Sequence, residues 1–275
     1  MASLTVVSGK TRVYEKCTVP EYNLDLTVGC PLILTGGRCL YCYGKLYNKP
    51  RKQGRVKVKD VTVRFLKQLN DIEPVYKNRL YIRIGKFTEP GHKMSEKQLL
   101  VVLHLLQTRG IRPIITTKLL KFSRNIAKIV KKLHGTIQFS FGYNELEPGA
   151  VNYGMSNKER LQHAKRYLAF GINVVFRIAI DVTQGKSHLD RYMKYILKIY
   201  PKRVLLTPLR FQNKDILNNL NFKINLNNYK WFRGYYRPNF IHGDYKNLPT
   251  CGDLSDGTEF CAKCLVDLAE DGGDK

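Results

Sequence analysis

Acidic residues are scarce in this chain. Its 275 residues hold 22 aspartates and glutamates against 47 lysines and arginines, a surplus of 25 positive charges. That balance excludes an anionic surface and sets up a field that draws polyanions over a Debye length of ~8–10 Å. Nucleic acid is the commonest partner of so basic a protein. A lysine-rich proteome is the plainer source of the same excess. Long apolar runs are missing too: none approaches the ~20 residues that span a bilayer, so no membrane partner is expected. The start, Met-Ala-Ser-Leu-Thr-Val-Val, lacks the basic, then apolar, pattern of a secretion signal, and a cytoplasmic location is expected. Tryptophan occurs once, at Trp231, and there is no internal repeat or low-complexity array. The remaining composition, 43% hydrophobic, fits a globule with a real core: one large domain, or one plus a small appendage.

Seven cysteines are present: a triplet near the start, a triplet near the end, and Cys17 alone. Clustered Cys-x-x-Cys pairs in a reducing compartment point to metal or redox chemistry before disulfides. The first triplet reads Gly29-Cys30, eight residues, then Cys39-Leu40-Tyr41-Cys42-Tyr43, directly after an apolar strand-like run. Three thiolates on one loop can hold three corners of an iron–sulfur cube and leave the fourth iron open to a small molecule. The second triplet is Cys251, nine residues, then Cys261-Ala262-Lys263-Cys264. It reads as a second metal site, either another cluster or zinc, with His242 or Cys17 able to complete a zinc shell. Spacing does not separate the two metals; reduced, non-ligating thiols are the lesser alternative, because Cys-x-x-Cys with a third cysteine is seldom accidental.

Strand-like and helix-like segments alternate. Strands are expected at Asn23–Val28, Leu80–Ile84, Arg112–Ile115, Thr136–Phe141, Asn173–Ile180 and Arg203–Thr207. Helices are expected at Val61–Leu69, Ser95–Thr108, Ser123–Leu133, Ser156–Phe170 and Ser187–Tyr200. Ser95 with Gln98, and Ser156 with Glu159, are spaced as capping boxes, and Gly110 and Gly171 serve as stops. Short β-branched strands separated by helices predict an α/β fold: a parallel sheet buried on both faces, closing into a partial (β/α)6 barrel. Residues 1–210 would form the barrel and 211–275 a small cysteine-bearing C-terminal extension. The stretch from Tyr43 to Lys59 is basic, either a solvated loop or a phosphate-contacting arm. Trp231-Phe232-Arg233-Gly234-Tyr235-Tyr236-Arg237 interleaves aromatics with arginines. It could stack on bases or simply cover a barrel end.

In a parallel barrel the chemistry gathers where strands end. Thr88 and Glu89 follow the second expected strand, Thr116, Thr117 and Lys118 the third, and Ser140, Tyr143 and Asn144 the fourth; Arg177 and Asp181 lie near the end of the fifth. With the cysteine loop after the first strand, this set resembles the radical S-adenosylmethionine enzymes. It is most similar to the branch of spore photoproduct lyase and the DNA-repair-photolyase-like proteins. The matching motifs are Cys39-Leu40-Tyr41-Cys42-Tyr43, Phe87-Thr88-Glu89-Pro90, Thr116-Thr117-Lys118, Phe139-Ser140-Phe141, Leu146-Glu147-Pro148-Gly149 with Arg160-Leu161, and Gly171-Ile172-Asn173-Val174 with Arg177-Ile178.

The resemblance implies a radical fold and chemistry of the radical SAM type. Cys30, Cys39 and Cys42 would carry a 4Fe–4S cluster, and S-adenosyl-L-methionine would chelate its open iron. An electron from a one-electron reductant then cleaves the sulfur–C5′ bond, and the 5′-deoxyadenosyl radical takes hydrogen from a substrate. By the same resemblance Tyr41 would lie against adenine, Thr88 or Glu89 would meet the methionine amino group, Lys118 the carboxylate, and Ser140 the ribose or carboxylate. Two departures stand out. The interval from Cys30 to Cys39 is longer than the family's, with Gly36-Gly37 giving the extra length its freedom. The cysteine from which spore photoproduct lyase returns hydrogen is missing from Arg83-Ile84-Gly85-Lys86. The favoured reading is an enzyme acting on nucleic acid, in repair or modification. The alternatives are a radical enzyme modifying a peptide or protein with an auxiliary cluster, and a non-catalytic zinc-bearing nucleic-acid-binding module.

Overall fold

Alternation along the strands decides which side of the central sheet each residue serves. The computed structural model describes residues 5–6, 22–31, 57–58, 65–70, 81–85, 88–143, 155–211 and 224–266. Six strands run parallel in chain order: β2 (Tyr22–Leu24), β5 (Tyr81–Ile84), β6 (Arg112–Thr117), β7 (Thr136–Phe141), β8 (Asn173–Ile180) and β9 (Val204–Pro208). A short β1 (Thr5–Val6) pairs antiparallel outside β2. Among the described residues β2 and β9 are not paired to each other, so the sheet is an open, partial (β/α)6 barrel. The expected α/β architecture is the observed one.

One face of this sheet is apolar. Ile82, Ile84, Ile115, Ile137, Phe139, Phe141, Val174, Phe176, Ile178, Val204 and Leu206 are all buried there. They share one core with Leu99, Val102, Leu103 and Leu106 of α2 (Glu96–Arg109), Ile126 and Val130 of α3 (Arg124–Lys132), Leu161 and Ala164 of α4 (Asn157–Ala169), and Met193 and Ile196 of α5 (Arg191–Ile199). The first helical segment, α1, covers residues 65–70 and contributes Phe65 and Leu69. The other face is largely polar. The register sets Arg83, Ile114, Thr136 and Asn173 in one row, and Ser140 beside Arg177 in another. Both faces are buried, as expected, but the inner one carries hydrogen-bonding groups.

Helix ends follow local chemistry. At α4 the Ser156 side chain accepts from Glu159 N while the Glu159 side chain accepts from Ser156 N, the expected capping box. Ser123 caps α3 by accepting from Ile126 N. Gly110 ends α2 at φ 65°, a conformation that favours glycine. Three expectations are corrected. Ser95 does not cap α2 with its side chain; its hydroxyl donates instead to the Glu89 carbonyl at 3.3 Å. The helix expected from Ser187 begins later. Lys186–His188 is a single tight turn, and Asp190 caps α5 by accepting from Tyr192 N and Met193 N, both at 2.8 Å. The first expected strand is likewise split: β2 ends at Leu24, and β3 (Thr27–Val28) pairs antiparallel with β4 (Lys57–Val58).

The C-terminal part wraps back onto this barrel. A hairpin of β10 (Tyr229–Phe232) and β11 (Tyr235–Pro238) turns at Arg233 and Gly234, φ 48° and 86°. It is fixed to the end of β9 by paired bonds between Phe211 and Tyr236, at 3.1 and 2.7 Å. Residues 249–251 then lie parallel to β9: Leu206 N donates to Pro249 O at 2.8 Å and Cys251 N to Leu206 O at 2.9 Å. A second hairpin, β12 (Gly252–Asp253) with β13 (Glu259–Phe260), is held by the buried carboxylate of Asp253. This oxygen sits 2.9 Å from Arg237 Nε and 3.2 Å from Arg210 Nη2. Beyond it, residues 261–266 enter the inner face of the sheet.

Candidate functional site

The loop bearing the first cysteine triplet starts from a clamped base. Thr27 pairs with Val58 and Val28 with Lys57, so β3 and β4 tie the two ends of the loop together. Thr27 Oγ1 donates to the Gly29 carbonyl at 2.7 Å, and Gly29 takes φ 75° to turn the chain. Cys30 follows at once, only 2% exposed. Cys39, Cys42 and Tyr41 lie outside the described residues, as do Cys17, Asn144 and most of the basic stretch from Tyr43 to Lys59.

The neighbouring rim is sewn together by carboxylates. Gly85 N donates to Leu24 O at 3.0 Å, and Asp25, just beyond β2, accepts from Thr88 N at 3.1 Å and Thr88 Oγ1 at 3.0 Å. At Gly85 (φ 89°) a Cβ would stand 2.5 Å from Thr116 O, so only glycine permits this approach. Glu89 is buried and accepts from Thr117 Oγ1, from Gly91 N at 2.8 Å and from Lys118 N at 2.8 Å. Burial pushes its pKa up, while these donors pull it back. Glu89 therefore holds the corner that carries Lys118. Of the four rim residues expected to meet a cofactor and described here, Thr88 follows β5, Lys118 follows β6 and Ser140 sits on β7, all at the C-terminal end of the sheet. Asp25 was missed by sequence reasoning; a carboxylate directly after the first strand was its signal.

Tyr143 and Asp181 serve structure at the same rim. Asp181 is fully buried and accepts from Thr183 N (3.0 Å), Thr183 Oγ1 (2.8 Å), Gln184 Nε2 (2.7 Å) and Tyr229 OH (2.8 Å). Its own N–H donates to Tyr143 OH at 3.2 Å. Burial drives both phenols up, Tyr229 most strongly, so they remain protonated. Thr116 Oγ1 donates to Gln138 Oε1 at 3.2 Å, and Arg177 Nε donates to Thr207 Oγ1 at 3.1 Å, both inside the barrel.

The second cysteine triplet lies at this inner face. Arg83 Nη2 donates to Cys264 Sγ at 2.6 Å. The Cys251 thiol is pushed up by burial first, then by Cys264 and Cys261, against the pull of Arg177 and Arg83. The three cysteines thus share one neighbourhood. Among the described residues, however, no group of three or more histidine, cysteine, aspartate or glutamate side chains is arranged to hold a metal ion. His242 is turned elsewhere: its Nδ1 accepts from Asp244 N at 3.2 Å. In the aromatic–arginine segment, Tyr235 and Arg237 face inward at 2–3% exposure, as does Tyr229 just before it, whereas Trp231 is 57% exposed. No helix among the described residues is long and apolar enough to cross a membrane.

These features have a known architectural counterpart. Neither a scan of protein-family models nor a search of curated proteins finds a match. Solved structures do match. A spore photoproduct lyase complexed with dinucleoside spore photoproduct is similar at TM-score 0.53 and 15% identity, covering 86% of this chain and 72% of that one. A mutant of that lyase with bound AdoMet and dinucleoside spore photoproduct is similar at TM-score 0.52 and 16% identity, covering 83% and 72%. The fold of this chain is accordingly the partial barrel of the radical SAM enzymes, in the form seen in spore photoproduct lyase.

Proposed function

We propose that this protein is a radical SAM enzyme acting on nucleic acid. The observation that supports the reading is the placement of Cys30. It is buried at the head of a clamped loop that follows the C-terminal end of β2, where Asp25 also fixes Thr88. The donor set fits an iron–sulfur cluster: Cys30, Cys39 and Cys42 would hold it as thiolates. When bound, the cluster and AdoMet supply one electron and a carbon radical able to remove hydrogen from an unactivated carbon.

The remaining work falls to the chain. Lys118 would orient the cofactor's carboxylate, Ser140 its ribose or carboxylate, and Tyr41 its adenine. Thr88, backed by Asp25, is the better partner for the amino group, because the Glu89 carboxylate is already committed to Thr117, Gly91 and Lys118. The surplus of 25 positive charges supports a polyanionic substrate. Exposed Trp231 beside Lys230 and Arg233 offers a stacking platform for a base. A one-electron reductant and a cytoplasmic setting complete the reading.

At the C-terminal triplet, a second cluster or zinc would require Cys264 to exchange Arg83 for metal. Metal counting on anaerobically purified protein decides this. About four irons per chain fit the first triplet alone; about eight irons, or zinc beside iron, bring in Cys251, Cys261 and Cys264. The substrate class is tested by titrating a DNA or RNA oligonucleotide at physiological salt. Binding that weakens steeply with added salt is expected. No binding, with turnover on a peptide instead, contradicts it.

A further inference from the structure

The polar interior of the sheet is occupied by the chain itself. Gln138 Nε2 donates to the Cys264 carbonyl at 3.0 Å. Asn173 Nδ2 donates to the carbonyls of Leu265 and Val266 at 3.0 and 3.2 Å. Arg83 holds the Cys264 sulfur from β5, on the far side of β6. Cys264 and Val266 pack with Tyr81 and Ile114 in a small apolar cluster separate from the main core. Tyr81, Thr136 and Asn173 are the first residues of β5, β7 and β8. The segment therefore crosses the barrel near the N-terminal strand ends, opposite the rim that carries Thr88 and Lys118.

Its backbone is strained. Cys264 and Leu265 have φ of 60° and 52°, left-handed values that strain a residue with a Cβ. Two such residues in a row persist only where the surroundings hold them. Here three buried or half-buried side chains from three strands do so, each spending a donor that would otherwise face the lumen.

We infer that residues 261–266 are the floor of the barrel: a strap that closes its lower mouth, limits how far a substrate group enters from the rim, and keeps solvent from the interior. Gln138 and Asn173 are its positioning residues. The closure is independent of the proposed function; its consequence for substrate depth and for radical containment rests on that reading.

The test is alkylation of the full native chain with N-ethylmaleimide, mapped by peptide mass spectrometry. Cys264, 1% exposed, and Cys30, 2% exposed, should both react slowly in the unmodified protein. The double variant Gln138→Ala/Asn173→Ala should label Cys264 at least about tenfold faster with Cys30 unchanged. Gln138→Ala alone, a milder change, should give a severalfold rise. Rapid labelling of Cys264 in the unmodified protein overturns the strap. So does an unaltered rate in the variants, or a parallel rise at Cys30, which marks general loosening. The containment role has its own readout. Gln138→Ala should release more 5′-deoxyadenosine without substrate than the unmodified protein does; an equal rate overturns that role. Since labelling needs no cofactor, a protein that labels as expected but makes no 5′-deoxyadenosine keeps the strap and loses the proposed reaction.

Discussion

Arg83 and Cys264 are 181 positions apart in the chain, yet the guanidinium donates to the sulfur at 2.6 Å inside the barrel. The contact joins the second parallel strand to the C-terminal extension. It also brings a fixed positive charge to the interior, beside Cys251. Replacing Arg83 by Met removes a charge-assisted bond in a half-buried place. Denaturant unfolding should show a loss of about 1.5–3 kcal/mol, and Arg83→Lys should recover part of it. No measurable loss would mean that the pair is incidental.

The ion pair at Asp253 should matter more for stability. Both partners in the Arg237–Asp253 contact are at most 3% exposed, while Arg210 is 18% exposed. The Asp253 oxygens meet these cations as close charges and not as aligned hydrogen bonds. Asp253→Ala leaves Arg237 buried and uncompensated, a change worth about 3–5 kcal/mol. Arg210→Ala should cost far less. Equal effects of the two, measured by urea unfolding, would contradict the assignment of Asp253 as the staple of the extension.

Glu89 separates a binding role from a bracing one. Glu89→Gln replaces one carboxylate oxygen by an NH2 group, so the donors Thr117, Gly91 and Lys118 cannot all be satisfied. A stability loss of about 1–3 kcal/mol is expected. AdoMet affinity should fall through displacement of Lys118, while iron content stays the same. A variant of unchanged stability but lost AdoMet binding would instead make Glu89 a direct ligand.

Acid should destabilise the protein through His163. Its Nδ1 accepts from Phe122 N at 3.2 Å, which requires the neutral ring. Burial, then Arg166 and Lys121, lower its pKa below the ordinary 6.5. The unfolded chain therefore binds the proton more readily, and stability rises with pH in this range. The contribution is complete above 6.5 and is lost as pH falls through that value towards the depressed one. His163→Gln should flatten the melting temperature between pH 7 and 5; an unchanged slope would remove His163 from the account.

Much of the frame was legible in the sequence because it rests on local rules. Six strands, the Ser156–Glu159 capping box and the glycine stops are each written within a few residues. The interior was harder to read. Thr136-Ile137-Gln138-Phe139-Ser140-Phe141 alternates polar and apolar, a pattern that announces a polar inner face. What fills that face comes from more than a hundred residues further on, and no local pattern encodes that contact. The onset of α5 was misplaced for a local reason: Asp190 and Ser187 are comparable as caps, and it is the Asp190 carboxylate that accepts from two backbone N–H groups where the helix begins. Glu89 was legible as a rim residue but not as a brace, since its partners are backbone N–H groups that any sequence supplies.

The central claim is that thiols from positions 30, 39 and 42 serve one cluster on the rim. Its most direct test is anaerobic incubation of the iron-loaded protein with AdoMet and dithionite, followed by chromatography for 5′-deoxyadenosine. The account expects that product from the unmodified chain and none from Cys30→Ala, Cys39→Ala or Cys42→Ala. A colourless, zinc-bearing protein that forms none of it, or a Cys30→Ala variant that still does, would contradict the account.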